Sequence, residues 1–321
     1  MAPRDVIRLA LVGYGRIAPR HLEVFRALGA EFVGVCNRSE EGRERAIREG
    51  GIPRAYSSIA EMITKEKPDG VVACPSFPQS YSVARELLTA GVPFLLEKPP
   101  ALSLLEFEDL CALQRLTRTL VMVAFNRRHY SVVRKVQEEI AGEVVDAVLV
   151  RWSENPEAFL ARGFAAEEVE KLVFANSTHG LDMATLFAGE VREPQAVAMR
   201  GVKPMTWSMG LLAKSAAGTI LSFTSTWAAP GPWSVTVSVS GRAYVFAPLE
   251  TCTVLEKGGK ERRVLPDDDD VNFKPGFLHQ AQKFLECLRA GEAAPHLALS
   301  SAGPAMRLAS ALFGSMNCGE R

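Results

Sequence analysis

Apolar residues fall along this chain in two rhythms. In the first 125 residues, short apolar runs alternate with stretches of helical spacing. Ile7 to Val12, Glu31 to Cys36, Asp69 to Cys74, Pro93 to Leu96 and Leu120 to Phe125 read as buried strands. Between them, Leu22, Phe25 and Leu28 mark a helix that Gly29 stops, and Glu40 to Glu49 and Ser80 to Ala90 read as further helices. Ser58, with Glu61 three residues on, fits a capping box that opens another. Unbroken apolar strands separated by helices predict a parallel sheet covered on both faces. After a helix over Tyr130 to Ile140, the rhythm changes to period two from Val144. Gln195 to Val202, Thr206 to Ala213, Gly218 to Trp227, Ser234 to Ser240, Arg242 to Ala247 and Thr253 to Lys257 then predict strands with one covered face. Turns at Ala217-Gly218, Pro230-Gly231-Pro232 and Gly258-Gly259 join them. Phe277 to Leu288 and Leu299 to Phe313 predict two closing helices, the last packing back on the first half.

The first strand runs straight into Gly13-Tyr14-Gly15-Arg16-Ile17-Ala18, a G-x-G-x-x-A turn that opens a helix. Gly13 permits the tight turn, Gly15 lets a pyrophosphate approach the backbone, and Ala18 is small enough for the helix to pack on the strand. Free N–H groups of the first helical turn would face the phosphates. The second strand ends in Asn37-Arg38-Ser39, where an acid would accept from a ribose diol; an amide beside a guanidinium suits a 2′-phosphate better, so NADP is favoured over NAD. Cys74, Pro75 and Ser76 end the next strand and should line the nicotinamide half. Glu97-Lys98-Pro99-Pro100 follows another buried strand, a costly place for a charge pair unless it is used. The expected fold is α/β: an N-terminal Rossmann dinucleotide-binding domain over 1–123, an α+β domain over 124–300 built on a large, mostly antiparallel open sheet, and a C-terminal helix over 301–321.

Formal net charge is zero over 321 residues, which argues against a nucleic-acid binder. No apolar run is long enough to span a bilayer, so no membrane partner is expected. Met1 to Asp5 carries no charged-then-apolar leader, which points to a cytoplasmic protein. Cys36, Cys74, Cys111, Cys252, Cys287 and Cys318 form no C-x-x-C pair and no zinc spacing; they read as free thiols, with no metal site. Asp267 to Asp270 reads as a solvated loop. Trp207, Trp227 and Trp233 lie in or beside sheet strands, as core or as interface.

The fingerprint, Pro75-Ser76, Ala90-Gly91-Val92-Pro93-Phe94-Leu95-Leu96-Glu97-Lys98-Pro99, Asn126-Arg127-Arg128 and His179-Gly180-Leu181-Asp182 occur in order. With them the chain resembles the glucose–fructose oxidoreductase / inositol dehydrogenase / rhizopine-catabolism family of NAD(P)-dependent oxidoreductases. The resemblance implies Lys98 and His179 as the catalytic pair and a cis Lys98–Pro99 bond. It adds Glu97, Lys98, Pro99, Asn126 and Arg128 to a cofactor set of Gly13, Tyr14, Gly15, Arg16, Ile17, Ala18, Asn37, Arg38, Ser39, Cys74, Pro75 and Ser76. Substrate would meet Lys98, Arg127, Asn176, Thr178 and His179. It also implies a homodimer or homotetramer formed through the second sheet. The implied activity is hydride transfer between nicotinamide and a secondary alcohol or ketone of a sugar, cyclitol or sugar derivative. Three positions depart from the pattern: Ala175 stands where an aspartate is common, Gln79 where a histidine is common, and Glu167 to Phe174 replaces a glycine-rich segment. The lost acid motivates a second reading, a nucleotide-binding sensor or assembly protein with little or no turnover.

Overall fold

The computed structural model describes residues 6–318, with side chains through 317. The segment Met1 to Asp5 and the thiol of Cys318, both used above, lie outside the described residues. In chain order the elements are β1 (Arg8–Val12), α1 (Ala18–Ala27), β2 (Glu31–Cys36), α2 (Glu40–Arg48), β3 (Ala55–Tyr56), α3 (Ile59–Glu66), β4 (Gly70–Ala73), α4 (Ser80–Ala90), β5 (Phe94–Leu96), α5 (Leu104–Thr117), β6 (Val121–Val123) and α6 (Ser131–Glu139). There follow β7 (Val145–Ser153), α7 (Pro156–Leu160), α8 (Ala166–Glu170), α9 (Leu172–Ala175), α10 (Thr178–Ala188), β8 (Val191–Arg200), β9 (Trp207–Ser215), β10 (Ile220–Thr226), β11 (Ser234–Val239), β12 (Arg242–Phe246), β13 (Cys252–Glu256) and β14 (Lys260–Val264). The chain closes with α11 (Asp268–Asn272), α12 (Phe277–Ala290) and α13 (Gly303–Cys318).

The first compact unit comprises 6–126 and 269–302. Its sheet has the order β3-β2-β1-β4-β5-β6, all parallel. The order reverses between β1 and β4, and the carboxyl ends there form the crevice where such sheets take ligands. Apart from Arg8 and Glu31 at the starts of β1 and β2, the strands are apolar because helices cover both faces; Leu9, Leu11, Val72, Leu95 and Met122 are fully buried. On one face α1 packs against α12 through Phe25 and Phe284, whose rings meet edge to face at 6.1 Å. Burying side chains of this size contributes about 1.5–3 kcal/mol each.

The second unit comprises 127–268 and 303–318. Its eight strands run β14-β13-β12-β11-β7-β10-β9-β8, antiparallel except that β7 and β10 are parallel. Alternation decides the faces. Val148, Val150 and Trp152 of β7 and Leu221 and Phe223 of β10 are buried, and α10 packs against both strands. Val197, Met199, Leu212, Leu149 and Ile220 are exposed on the other face.

Several expectations change. The boundary falls after residue 126 rather than 123, and 269–302 returns to the first unit, so α12 serves the Rossmann core. The final helix α13 belongs to the second unit, packed on β8 and α10, and is not an appendage of the first. β14 was not expected, because Lys-Glu-Arg-Arg lacks alternation; it is an edge strand, where charges guard against further pairing. Asp267 to Asp270 is no free loop: Asp267 pairs with Arg134 at 3.1 Å, and Asp270 accepts from the Gly276 N–H at 2.6 Å. Trp207 and Trp227 are buried rather than on the open face. Among the described residues no helix is long and apolar enough to cross a membrane.

Candidate active site

The fingerprint turn is built tightly on one side and left open on the other. Gly13 has φ +84°, and a Cβ there would sit 2.4 Å from the Cys74 carbonyl oxygen. A Cβ on Gly15 would meet nothing within 4 Å. Packing therefore demands the first glycine, while the second borders open space of the size a pyrophosphate needs to approach the backbone. Helix α1 begins with no side-chain cap and no acid in its first turn, so its N-terminal dipole is left for an anion. Arg16 is exposed, Ile17 half-buried and Ala18 buried beneath them. This geometry fits a dinucleotide.

Asn37 and Ser39 are placed differently from the expectation that they meet the ribose. The Asn37 Oδ1 accepts from the Tyr14 N–H at 3.2 Å, and its Nδ2 donates to the Ser39 hydroxyl at 3.1 Å. Gly42 makes room, since a Cβ there would overlap the Asn37 amide at 1.7 Å. Ser39 in turn caps α2 by accepting from the Gly42 N–H. Both side chains thus fasten the phosphate turn to α2. Tyr14 points inward and is buried, with Arg45 over its ring. Arg38 and Ser39 are exposed, and Asn37 is half-buried.

At the crevice, Cys74 is buried and meets the turn through its backbone, while Pro75 is half-buried and Ser76 exposed. Burial raises the Cys74 thiol well above its ordinary range. Glu97 follows β5, and its Oε1 lies 2.7 Å from Nε2 of His21 on α1. His21 is buried, with its ring against Phe277 at 4.8 Å. Lys98 comes next, half-buried, and the Lys98–Pro99 bond is cis. Asn126 is buried and donates from Nδ2 to the Pro275 carbonyl at 3.1 Å, so its amide ties the end of β6 to α12's approach. His21 was missed as a site residue; its signal was a histidine one turn into the fingerprint helix, facing the sheet.

In the second unit His179 is buried in the first turn of α10. Gly180 beside it is required: a Cβ would lie 2.6 Å from the Trp152 ring. Asp182, one turn on, is buried and receives two bonds from Nε of Arg128, at 3.0 and 2.8 Å, and a third, very short one from Nη2. Burial pushes the Asp182 carboxyl up, and Arg128 draws it back only in part. Arg128 therefore anchors α10.

Thr178, expected to meet substrate, is fully buried and gives its hydroxyl to the Phe174 carbonyl at 2.8 Å. Asn176 donates to Oε2 of Glu154 at 2.6 Å, and Ser177 donates to Oε1 at 2.7 Å. Trp152 Nε1 donates to the same Oε1 at 2.9 Å. A buried carboxylate thus stands at the foot of α10 although residue 175 is alanine. Nothing in the sequence pattern marked Glu154, beyond an acid directly after a strand. Arg127 lies over the Trp233 ring at 5.3 Å.

Comparison with known proteins bears on the first domain and on the fold. Residues 7–125 match the family described as oxidoreductase family, NAD-binding Rossmann fold. D-apiose dehydrogenase of Paraburkholderia graminis is 26% identical over 195 residues, 60% of this chain and 52% of that protein. The chain thus spans about half the length of that relative. Trans-1,2-dihydrobenzene-1,2-diol dehydrogenase of Oryctolagus cuniculus is 27% identical over 298 residues, 88% of this chain and 89% of that one. The structure of levoglucosan dehydrogenase in complex with NADH and levoglucosan superposes with a TM-score of 0.83 at 17% identity, covering 98% of each chain. That last likeness concerns the fold.

Proposed function

We propose that this chain, whose residues 7–125 match the oxidoreductase family with an NAD-binding Rossmann fold, moves a hydride between a nicotinamide and a secondary alcohol or ketone of a sugar, cyclitol or sugar derivative. The observation that carries the reading is Glu97-Lys98-Pro99 at the carboxyl end of β5, beside the switch point, with Glu97 held by a histidine of the fingerprint helix. Among the relatives named above, D-apiose dehydrogenase supports the substrate class.

In this reading the backbone of 13–18 cradles the pyrophosphate, with Asn37 and Ser39 holding that loop in shape. Arg38 meets the adenosine ribose and, with no acid beside it, favours NADP over NAD. Cys74, Pro75 and Ser76 border the nicotinamide half. The bound nicotinamide supplies the hydride acceptor or donor. Lys98 donates a hydrogen bond to the reacting oxygen and stabilises its developing negative charge. His179 takes the hydroxyl proton in oxidation and returns it in reduction. Glu154 orients the turn that carries His179 by holding Asn176 and Ser177, and Arg128 with Asp182 fixes the helix behind it.

The test is turnover of a polyol panel, followed by nicotinamide absorbance, beside Lys98→Ala and His179→Ala. Both variants should bind NADPH and lose turnover by about 100-fold or more. Firm nucleotide binding by the native chain without turnover of any polyol, sugar or sugar acid overturns the reading. We assign the open apolar face around Val197, Met199 and Leu212 to pairing with a second copy. A monomer of the native chain in light scattering, at the mass of Val197→Glu, overturns that assignment.

A further inference from the structure

We propose that Arg127 receives a carboxylate carried by the substrate, so that the preferred substrates are sugar acids or related polyhydroxy acids rather than neutral polyols. The inference rests on the dehydrogenase reading above and narrows it.

Two adjacent arginines open the second unit with different fates. Arg128 is consumed by Asp182 in a multiply bonded pair. Arg127 makes no ion pair among the described residues, and its Nε is buried without a hydrogen-bond partner. Its guanidinium lies over the Trp233 ring. Trp233 stacks in turn on Trp152, with ring centroids 4.3 Å apart and planes 11° apart. The Trp233 indole is fixed by donating to the Ser153 carbonyl at 2.7 Å, and the Trp152 indole by donating to Glu154. Trp152 is pressed on Gly180, the residue after His179. A rigid stack thus links the guanidinium to the first turn of the helix that bears the proposed proton carrier.

The energetics favour an anion at this place. A desolvated cation with no partner is unfavourable, and burial lowers Arg127 from its ordinary range. Glu250, Asp182 and Glu154 act on it through space, with Tyr130, but none pairs with it. A planar guanidinium held flat on an aromatic ring keeps its edge donors in one plane, which suits the two oxygens of a carboxylate. One uncompensated positive charge, with acids around it, matches a monoanion better than a phosphate dianion.

The experiment compares acid and neutral partners of the same carbon skeleton: D-glucuronate, D-galacturonate and D-gluconate against D-glucose, D-galactose and D-glucitol, with D-glucose 6-phosphate as a third arm. Each is titrated into the NADP-loaded chain by tryptophan fluorescence, which Trp233 reports, and each is assayed for turnover. The native chain should favour at least one acid over its neutral counterpart by about 10- to 100-fold in Kd and in kcat/KM. In Arg127→Gln that ratio should fall towards one, and in Arg127→Lys, which keeps the charge without the fork, it should lie between. Equal affinity for every acid and its neutral counterpart, no binding of any acid, a best response to the phosphate ester, or an unchanged ratio in Arg127→Gln each overturns the proposal. Turnover of neutral sugars alone defeats this inference and leaves the dehydrogenase reading. Arg127-dependent acid binding without turnover does the opposite.

Discussion

Nε2 of His21 and Oε1 of Glu97 lie 2.7 Å apart, joining the helix that starts at the phosphate turn to the strand end that presents Lys98. The Nδ1 of His21 is buried with no partner, and the bond to the carboxylate needs a proton on Nε2, which donates. His21→Ala leaves Glu97, itself mostly buried, without its donor. Urea denaturation should show a loss of about 1–3 kcal/mol. NADPH affinity should weaken with it, and His21→Gln should recover part of both.

The two fingerprint glycines should fail in different ways. Gly13→Ala forces a Cβ into the Cys74 carbonyl at a positive φ, so both melting temperature and nucleotide binding should fall. Gly15→Ala meets no protein atom, so the melting temperature should hold while NADPH and NADH binding drops by about tenfold or more. Matching losses of stability in both variants would show that Gly15 serves packing and not a ligand.

These contrasts show where the sequence was readable. Buried strands announced themselves because an all-parallel sheet needs apolar side chains on both faces, as in Leu9 to Val12. Lys98 and His179 were marked by the Glu-Lys-Pro and His-x-x-Asp motifs, which lie just after β5 and in the first turn of α10. Asn37 was marked for its place at the end of β2. Its position was legible, but the direction of its amide depended on Gly42, which has no side chain to oppose it. Glu154 and β14 were not legible. The first acts through residues distant in sequence, and the second is a solvent-facing edge whose charges erase the alternation that marks a strand.

Arg38 separates the two cofactors. It is exposed at the end of β2, next to an amide and a capping serine, with no acid to engage a free ribose diol. Arg38→Ala should weaken NADPH by about tenfold and leave NADH within about twofold, by fluorescence titration. Equal effects on the two nucleotides would place Arg38 over the adenine instead of at a 2′-phosphate.

The Arg128–Asp182 pair is structural. Both side chains are shielded, and Asp182 receives several bonds at once. Asp182→Asn leaves an uncompensated guanidinium beside the His179 helix, and breaking a buried pair on one side costs about 3–5 kcal/mol. The expected result is a large drop in the urea midpoint with an unchanged slope. Replacing both partners together, as Arg128→Met with Asp182→Leu, should recover much of that loss.

Alkaline pH should destabilise the fold before any acid does so through its thiols. Burial raises Cys36 from 9.0 to about 11, Cys111 to about 11 and Cys252 to about 12. Tyr244 rises from 10.0 to about 12, by burial and by its hydrogen bond to Glu139. All four are held protonated longer in the folded chain than in the unfolded one. Their contribution is therefore complete below the unfolded values, near pH 9, and is lost as pH rises through the folded ones. Melting temperature should be level from pH 7 to 8.5 and fall steadily from about pH 9 to 11. Cys36→Ser with Cys252→Ser should flatten that fall. At pH 8 the five described thiols, all buried, should react with a disulfide reagent only after urea is added. Rapid labelling of the folded chain, or a melting temperature that stays level to pH 11, would contradict the buried, protonated state of these groups.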